Sequence, residues 1–145
     1  MGNQERKPRS QKTNTTALKS KKEARVAATD YFERKLDDKR RLTIPAELRA
    51  EFASGVVLTR GFGEYLHMYP LAVWQDQVEP ALKGSILDER VADLNVQFRM
   101  GKTDDELDQK QGRVKIEQHL LDYAGITKEM TAVRAGAYWR LMAKR

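Results

Sequence analysis

The stretch of sequence that decides the fold lies at residues 36–49. It reads Leu36-Asp37-Asp38-Lys39-Arg40-Arg41-Leu42-Thr43-Ile44-Pro45-Ala46-Glu47-Leu48-Arg49. Four polar residues form a turn, and charged or polar residues then alternate with apolar ones, which is the pattern of a half-buried β-strand. A proline follows at once and suits the first turn of a helix, because that turn does not need the missing N–H. The stretch therefore predicts a turn, a short strand and a helix in succession.

A second copy of this pattern occurs 72 positions later. Arg113-Val114-Lys115-Ile116 repeats the strand Arg41-Leu42-Thr43-Ile44, Leu120 corresponds to Leu48, and Tyr138 corresponds to Tyr65. A chain that uses one plan of strand, turn, strand, helix and strand twice is an internal duplication. We expect an α+β fold whose two halves pack about a pseudo-twofold axis.

Two connecting helices are predicted between the copies. The first spans residues 71–79 and ends or kinks at Pro80, because proline has no N–H to donate. The second carries an apolar stripe at helical spacing and ends near Gly101. The stripe consists of Leu87, Val91, Leu94 and Phe98. The predicted organisation is a tail at 1–28, a first half at 29–80, a connecting helix at 81–104 and a second half at 105–145.

The whole net charge of +6 is found in the N-terminal tail. Residues 1–28 contain eight Lys and Arg against two Glu, and the other 19 basic and 19 acidic residues cancel. Because this tail has few large apolar side chains, we expect it to be disordered and to contact phosphates without reading sequence. The cations singled out for this role are Lys19, Lys21, Lys22 and Arg25.

Composition and motifs argue against an enzyme, a secreted protein and a membrane protein. The sequence has no cysteine, which removes disulfides and thiolate metal sites. No apolar run approaches the roughly eighteen residues of a membrane span. His67 and His119 have no second ligand at a metal spacing, and the carboxylate pairs at 37–38 and 104–105 are neighbours that point apart. We therefore expect no metal, no cofactor, no small-molecule substrate and a cytoplasmic location.

Cations recur at the same place in both halves. They are Lys39, Arg40 and Arg41 in the first half and Lys110, Arg113 and Lys115 in the second. The planar side chain of arginine can donate two hydrogen bonds to a guanine edge or to a phosphate. Basic residues also collect in exposed turns without any function, but two halves that place them alike favour binding to nucleic acid.

Residues 36–49 resemble the motif of the MraZ family, in which an aspartate, three residues and an arginine precede an apolar strand and a proline. Residues 107–126 resemble its second copy, and the resemblance runs from about Thr29 to Met142. It implies duplicated swapped-hairpin β-barrel halves of the SpoVT/AbrB type and a ring-shaped homo-oligomer. It also implies binding to direct repeats of double-stranded promoter DNA in a division and cell-wall gene cluster, hence association with the nucleoid. Asp37 would orient the loop and its arginine by accepting hydrogen bonds.

The chain departs from the family motif at three places. Arg40 stands where the family has a glycine before the arginine. In the second copy Gln109 lies four positions before Arg113, with Asp108 one residue earlier, and Glu117 stands in place of the proline. If the position of Arg40 needs a positive φ, a non-glycine residue there costs roughly 1 kcal/mol.

Two other functions stay open at the level of the sequence. A lysine-rich arm on a small β-rich core also suits an RNA-binding or ribosome-associated protein. An AbrB-like antitoxin would use one part to bind DNA and another part to bind a partner protein.

Overall fold

The computed structural model describes residues 29–144, which form an α+β fold of eight strands and four helical segments. The first half contains β1 (Tyr31–Lys35), β2 (Arg41–Thr43), β3 (Val56–Arg60) and β4 (Leu66–Pro70), and the second contains β5 (Thr103–Asp105), β6 (Arg113–Lys115), β7 (Glu129–Ala135) and β8 (Tyr138–Ala143). A 3₁₀ helix (Ala46–Phe52) follows β2, helix α1 (71–81) follows β4, and helices α2 (Glu89–Arg99) and α3 (Gln118–Ala124) come later. The predicted α+β class is confirmed. The disorder predicted for residues 1–28 lies outside the described residues, as do its four cations.

The strands form a six-stranded and a two-stranded sheet, and every pairing is antiparallel. The larger sheet has the order β1-β7-β8-β4-β3-β5, and β2 pairs with β6. The first strand of each half thus pairs with the third strand of the other half. When each strand is exchanged for its equivalent in the other half (β1 with β5, β3 with β7 and β4 with β8), the strand order of the sheet is the same read from the opposite edge. In residues 29–144 the edges β1 and β5 do not pair with each other, so the swapped-hairpin barrel stays a prediction.

The six-stranded sheet has a hydrophobic core on each face. One core contains Leu42 and Val114 of the β2–β6 ribbon, together with the buried side chains of the 3₁₀ helix and α3. The other consists of Val57, Tyr69, Trp74, Leu82 and Phe98 and lies under α1 and α2. Because successive residues of a strand face opposite sides of a sheet, the β2–β6 ribbon and the helices α1 and α2 lie on opposite sides of it.

Helix α1 ends at Ala81, one residue after Pro80 and close to the predicted end. Its middle turn, Trp74–Val78, is a π-helix, and the N–H of Glu79 donates to the carbonyl of Trp74, five residues back. Pro80 then lies in the first turn of the closing segment, Glu79–Ala81, where its missing N–H is tolerated. The π-helical turn therefore allows the helix to include Pro80.

Helix α2 forms where the apolar stripe predicts a helix, and it buries only part of that stripe. Asp88 is its N-cap, with the N–H of Arg90 donating to the carboxylate at 3.0 Å. Leu87 precedes the helix and is 89% exposed, and Leu94 is 38% exposed. Phe98 alone among the helix residues is buried. The stripe therefore leaves apolar surface on the outside of α2.

Candidate nucleic-acid interface

The β2–β6 ribbon turns one face to the core and the other to solvent. Leu42 and Val114 are cross-strand partners and are buried. The flanking pairs join Arg41 to Lys115 and Thr43 to Arg113, and these four side chains are partly or fully exposed. Since side chains alternate between the faces of a ribbon, cations from both halves are brought to one surface.

Asp37 organises the first turn. Its Oδ1 accepts hydrogen bonds from the backbone N–H groups of Lys39 at 2.9 Å and Arg41 at 2.8 Å, and its Oδ2 accepts one from Nε of Arg41 at 2.7 Å. Desolvation by burial raises the pKa of Asp37, but these hydrogen bonds and the charge of Arg41 hold it below its ordinary value. The carboxylate is therefore ionised, and it uses one of the five guanidinium donors of Arg41.

The second turn repeats this arrangement with one more residue. Asp108 accepts hydrogen bonds from the N–H of Lys110 at 3.0 Å and from Nη2 of Arg113 at 3.3 Å, and these bonds lower its pKa. In each turn the N–H of the aspartate donates to the carbonyl of the arginine, Asp37 to Arg41 at 3.1 Å and Asp108 to Arg113 at 3.0 Å. The extra residue in the second turn thus places Asp108 where Asp37 lies in the first.

Arg113 lies between the carboxylates of the two halves. Its Nη2 is 3.3 Å from Oδ2 of Asp108, and its Nη1 is 3.9 Å from Oδ2 of Asp37. Oδ2 of Asp37 is thus in contact with both Arg41 and Arg113. The side chains of Arg41 and Arg113 remain 30% and 27% exposed, so a binding partner can reach them from solvent.

Arg40 and Gly112 occupy equivalent positions at the ends of the two turns. Their φ angles are 61° and 65°, and Arg40 is the one non-glycine residue with positive φ between 29 and 144. The carbonyl of Arg40 accepts from the N–H of Ile116 at 2.9 Å, and that of Gly112 accepts from Ile44 at 2.8 Å. The arginine in place of glycine therefore adds a cation at a strain of roughly 1 kcal/mol.

Glu117 takes the position that Pro45 has in the first half. Each is the residue before a helix and has an extended backbone, with φ and ψ of −67° and 149° for Glu117 and −53° and 143° for Pro45. A glutamate can adopt this conformation without strain. Its charge lies two residues after Lys115, so it is an anion beside the cationic surface.

The two histidines lie outside the β2–β6 ribbon, His67 on β4 and His119 on α3. His67 is fully buried, and its Nδ1 is 2.8 Å from the hydroxyl of Tyr69. Burial, and then the charge of Arg140, lower the pKa of His67 to about 4, so it is neutral at pH 7. His119 is exposed, with Nε2 2.9 Å from the carbonyl of Gly101. Residues 29–144 contain no group of three possible metal ligands and no helix suited to cross a membrane.

Three residues that the sequence analysis missed border the first turn. Lys35, Thr127 and Lys128 line a cavity together with Arg40. The N–H of Leu36 donates to the carbonyl of Lys128 at 2.8 Å, which joins the end of β1 to the loop before β7. No local sequence signal marks these residues, because they meet only through the pairing of β1 with β7.

Comparison with known proteins agrees with the motif. A family model described as "MraZ protein, putative antitoxin-like" matches residues 28–94. The protein named transcriptional regulator MraZ of Kocuria rhizophila is 35% identical over 106 residues, which is 73% of each chain. Its namesakes in Herpetosiphon aurantiacus and Cutibacterium acnes are 39% and 38% identical, over 68% and 70% of each chain. With this identity over more than two thirds of its length, the chain belongs to the MraZ family.

Proposed function

We propose that this protein is a sequence-specific DNA-binding regulator of transcription that works as a homo-oligomer. The relatives named as transcriptional regulators support the regulatory role. One observation carries the DNA-binding role: Arg41 and Arg113 come from different halves, yet they share one surface and contact the same carboxylate of Asp37. Paired arginines held in fixed orientation suit the reading of guanine edges.

The β2–β6 ribbon is the element that enters the major groove. That groove is about 12 Å wide and admits a two-stranded β-ribbon. Arg41 and Arg113 read bases, while Lys39, Lys110 and Lys115 contact phosphates, which position the ribbon without reading sequence. Asp37 orients both arginines. In this proposal the sites are direct repeats in the promoter of a division and cell-wall gene cluster, and the protein acts in the cytoplasm at the nucleoid.

A second copy of this chain covers the apolar groove on the other side of the sheet. The groove has a volume of about 410 Å³, and its lining includes Phe62, Val73, Val78, Leu94, Phe98 and Tyr138. Ile86 and Leu87, in the loop before α2, are 95% and 89% exposed. When this apolar pair of one subunit enters the groove of the next, the contact is head-to-tail, and such contacts form a ring when the rotation between subunits closes. The β2–β6 ribbon of every subunit stays free, since it lies across the sheet.

The decisive experiment measures binding to the DNA upstream of the protein's own gene. We expect Arg41→Ala and Arg113→Ala each to cost about 1–3 kcal/mol on the preferred site and little on shuffled DNA. Equal losses on both DNAs would mean that the arginines contact phosphates only. Structured RNA is the competitor in a parallel titration at physiological salt. If it displaces the repeat DNA at equal concentration, the protein is an RNA-binding protein instead.

A further inference from the structure

We infer that the cavity beside the first turn is a phosphate site, which holds one backbone phosphate of the bound DNA. This inference rests on the proposed function. The cavity has a volume of about 480 Å³ and is lined by Lys35, Leu36, Asp37, Asp38, Arg40, Thr127 and Lys128. It adjoins the turn that carries Arg41, so an anion bound there lies next to the bases that Arg41 reads.

Arg40 supplies the first reason for this assignment. A non-glycine residue at φ 61° is strained, and strained residues persist where the surroundings or the function require them. The Nε of Arg40 is buried and has no acceptor among residues 29–144. An unpaired buried donor is unfavourable, and a guanidinium group forms strong charge-assisted hydrogen bonds to phosphate oxygens.

The charges around the cavity supply the second reason. Arg40, Lys35 and Lys128 are three cations, and the hydroxyl of Thr127 is a further donor. Of the two carboxylates, that of Asp37 is already paired with Arg41 at 2.7 Å, and Asp38 is exposed. The lining therefore has a surplus of positive charge and donors, which suits a phosphate and opposes a cation.

The cavity also makes the two halves of the subunit unequal. In the second half the equivalent of Arg40 is Gly112, which has no side chain. The side chain of Arg49 packs across that glycine and donates from Nε to the carbonyl of Ile44 at 2.9 Å. A subunit with near-twofold symmetry could bind a DNA site in either direction. A phosphate site in one half alone fixes one direction, as tandem direct repeats require.

The test is Arg40→Gly in the full chain, because glycine fits the backbone at φ 61° without strain. We expect the variant to be more stable, with the unfolding equilibrium constant lowered about fivefold. We expect it to bind every DNA more weakly, with the slope of log K against log salt reduced by about 0.9 per bound subunit. Lys128→Gln should weaken binding in the same way without the gain in stability. Lys83→Gln, an exposed change across the sheet, is the matched control for charge and should leave the slope unchanged.

Neutral methylphosphonate groups, placed one at a time in the repeat DNA, locate the contact. We expect one position at which the wild type loses affinity and Arg40→Gly does not. If Arg40→Gly keeps the wild-type salt slope and loses as much as the wild type at every position, the phosphate site is refuted. That outcome leaves the proposed function intact, provided that Arg41→Ala still loses specificity. If Arg41→Ala and Arg113→Ala bind all DNA as the wild type does, the proposed function itself fails.

Discussion

Arg41→Lys separates the reading of bases from the attraction of charge. In the first turn Nε of Arg41 donates to Oδ2 of Asp37 at 2.7 Å, which orients the rest of the guanidinium group. Lysine keeps the positive charge and can still pair with this carboxylate. It has no planar guanidinium group, however, so it cannot donate two hydrogen bonds of fixed geometry to one base.

The size of the effect follows from that difference. Losing one bidentate contact costs about 1–3 kcal/mol per subunit on the preferred site, or about 5- to 150-fold in affinity. Affinity for shuffled DNA and the salt slope should stay at the wild-type values, because the number of cations is unchanged. Arg113 remains 3.9 Å from Asp37, so the carboxylate keeps a second cation beside it and the turn should hold its shape.

The measurement is a fluorescence-anisotropy titration of repeat and shuffled DNA at several salt concentrations. Wild type, Arg41→Lys and Arg41→Ala are compared with Arg90→Lys, whose side chain is 90% exposed on the opposite side of the sheet. The alanine variant should lose affinity on the repeat and little on shuffled DNA. The reasoning is refuted if Arg41→Lys binds the repeat as tightly as the wild type, since Arg41 would then act only as a charge.

Three further predictions concern the tail, the buried histidine and the apolar loop. Replacing Lys19, Lys21 and Lys22 with glutamine should weaken binding to all DNA, lowering the salt slope by about 0.9 per lost phosphate contact. A salt titration on repeat and shuffled DNA checks this, and a collapse of specificity would show that the tail reads sequence. Because the pKa of His67 is about 4 when folded and 6.5 when unfolded, stability is full above pH 6.5 and falls towards pH 4. The loss of unfolding free energy is at most about 3 kcal/mol. In denaturant unfolding, His67→Phe should not show this pH-dependent loss. Parallel curves of unfolding free energy against pH for both proteins would contradict the prediction. Ile86→Lys should lower the mass found by light scattering to that of smaller species, whereas an unchanged multimer would place the subunit contact elsewhere.

Local patterns in the sequence predicted the elements that bear the candidate site. The alternation in residues 41–44 and 113–116 gave the two ribbon strands, because period two follows directly from strand geometry. The duplication indicated that equivalent strands occur in both halves. The apolar spacing in α2 predicted the helix, but such spacing shows only that one face of a helix is apolar and not what covers it. Leu87 and Leu94 are exposed in the single chain, so the spacing did not decide whether they are buried.

By itself, then, the sequence determined the α+β class, the two turns and the cations on them, since each depends on residues close together along the chain. Tertiary structure alone decided which groups meet across the halves. Arg113 reaches Asp37 because β2 pairs with β6, and Lys128 lies beside the first turn because β1 pairs with β7. Strand pairing depends on which edges satisfy each other's hydrogen bonds and on which faces pack together. Neither the matching of edges nor the packing of faces can be predicted from any one segment of the chain.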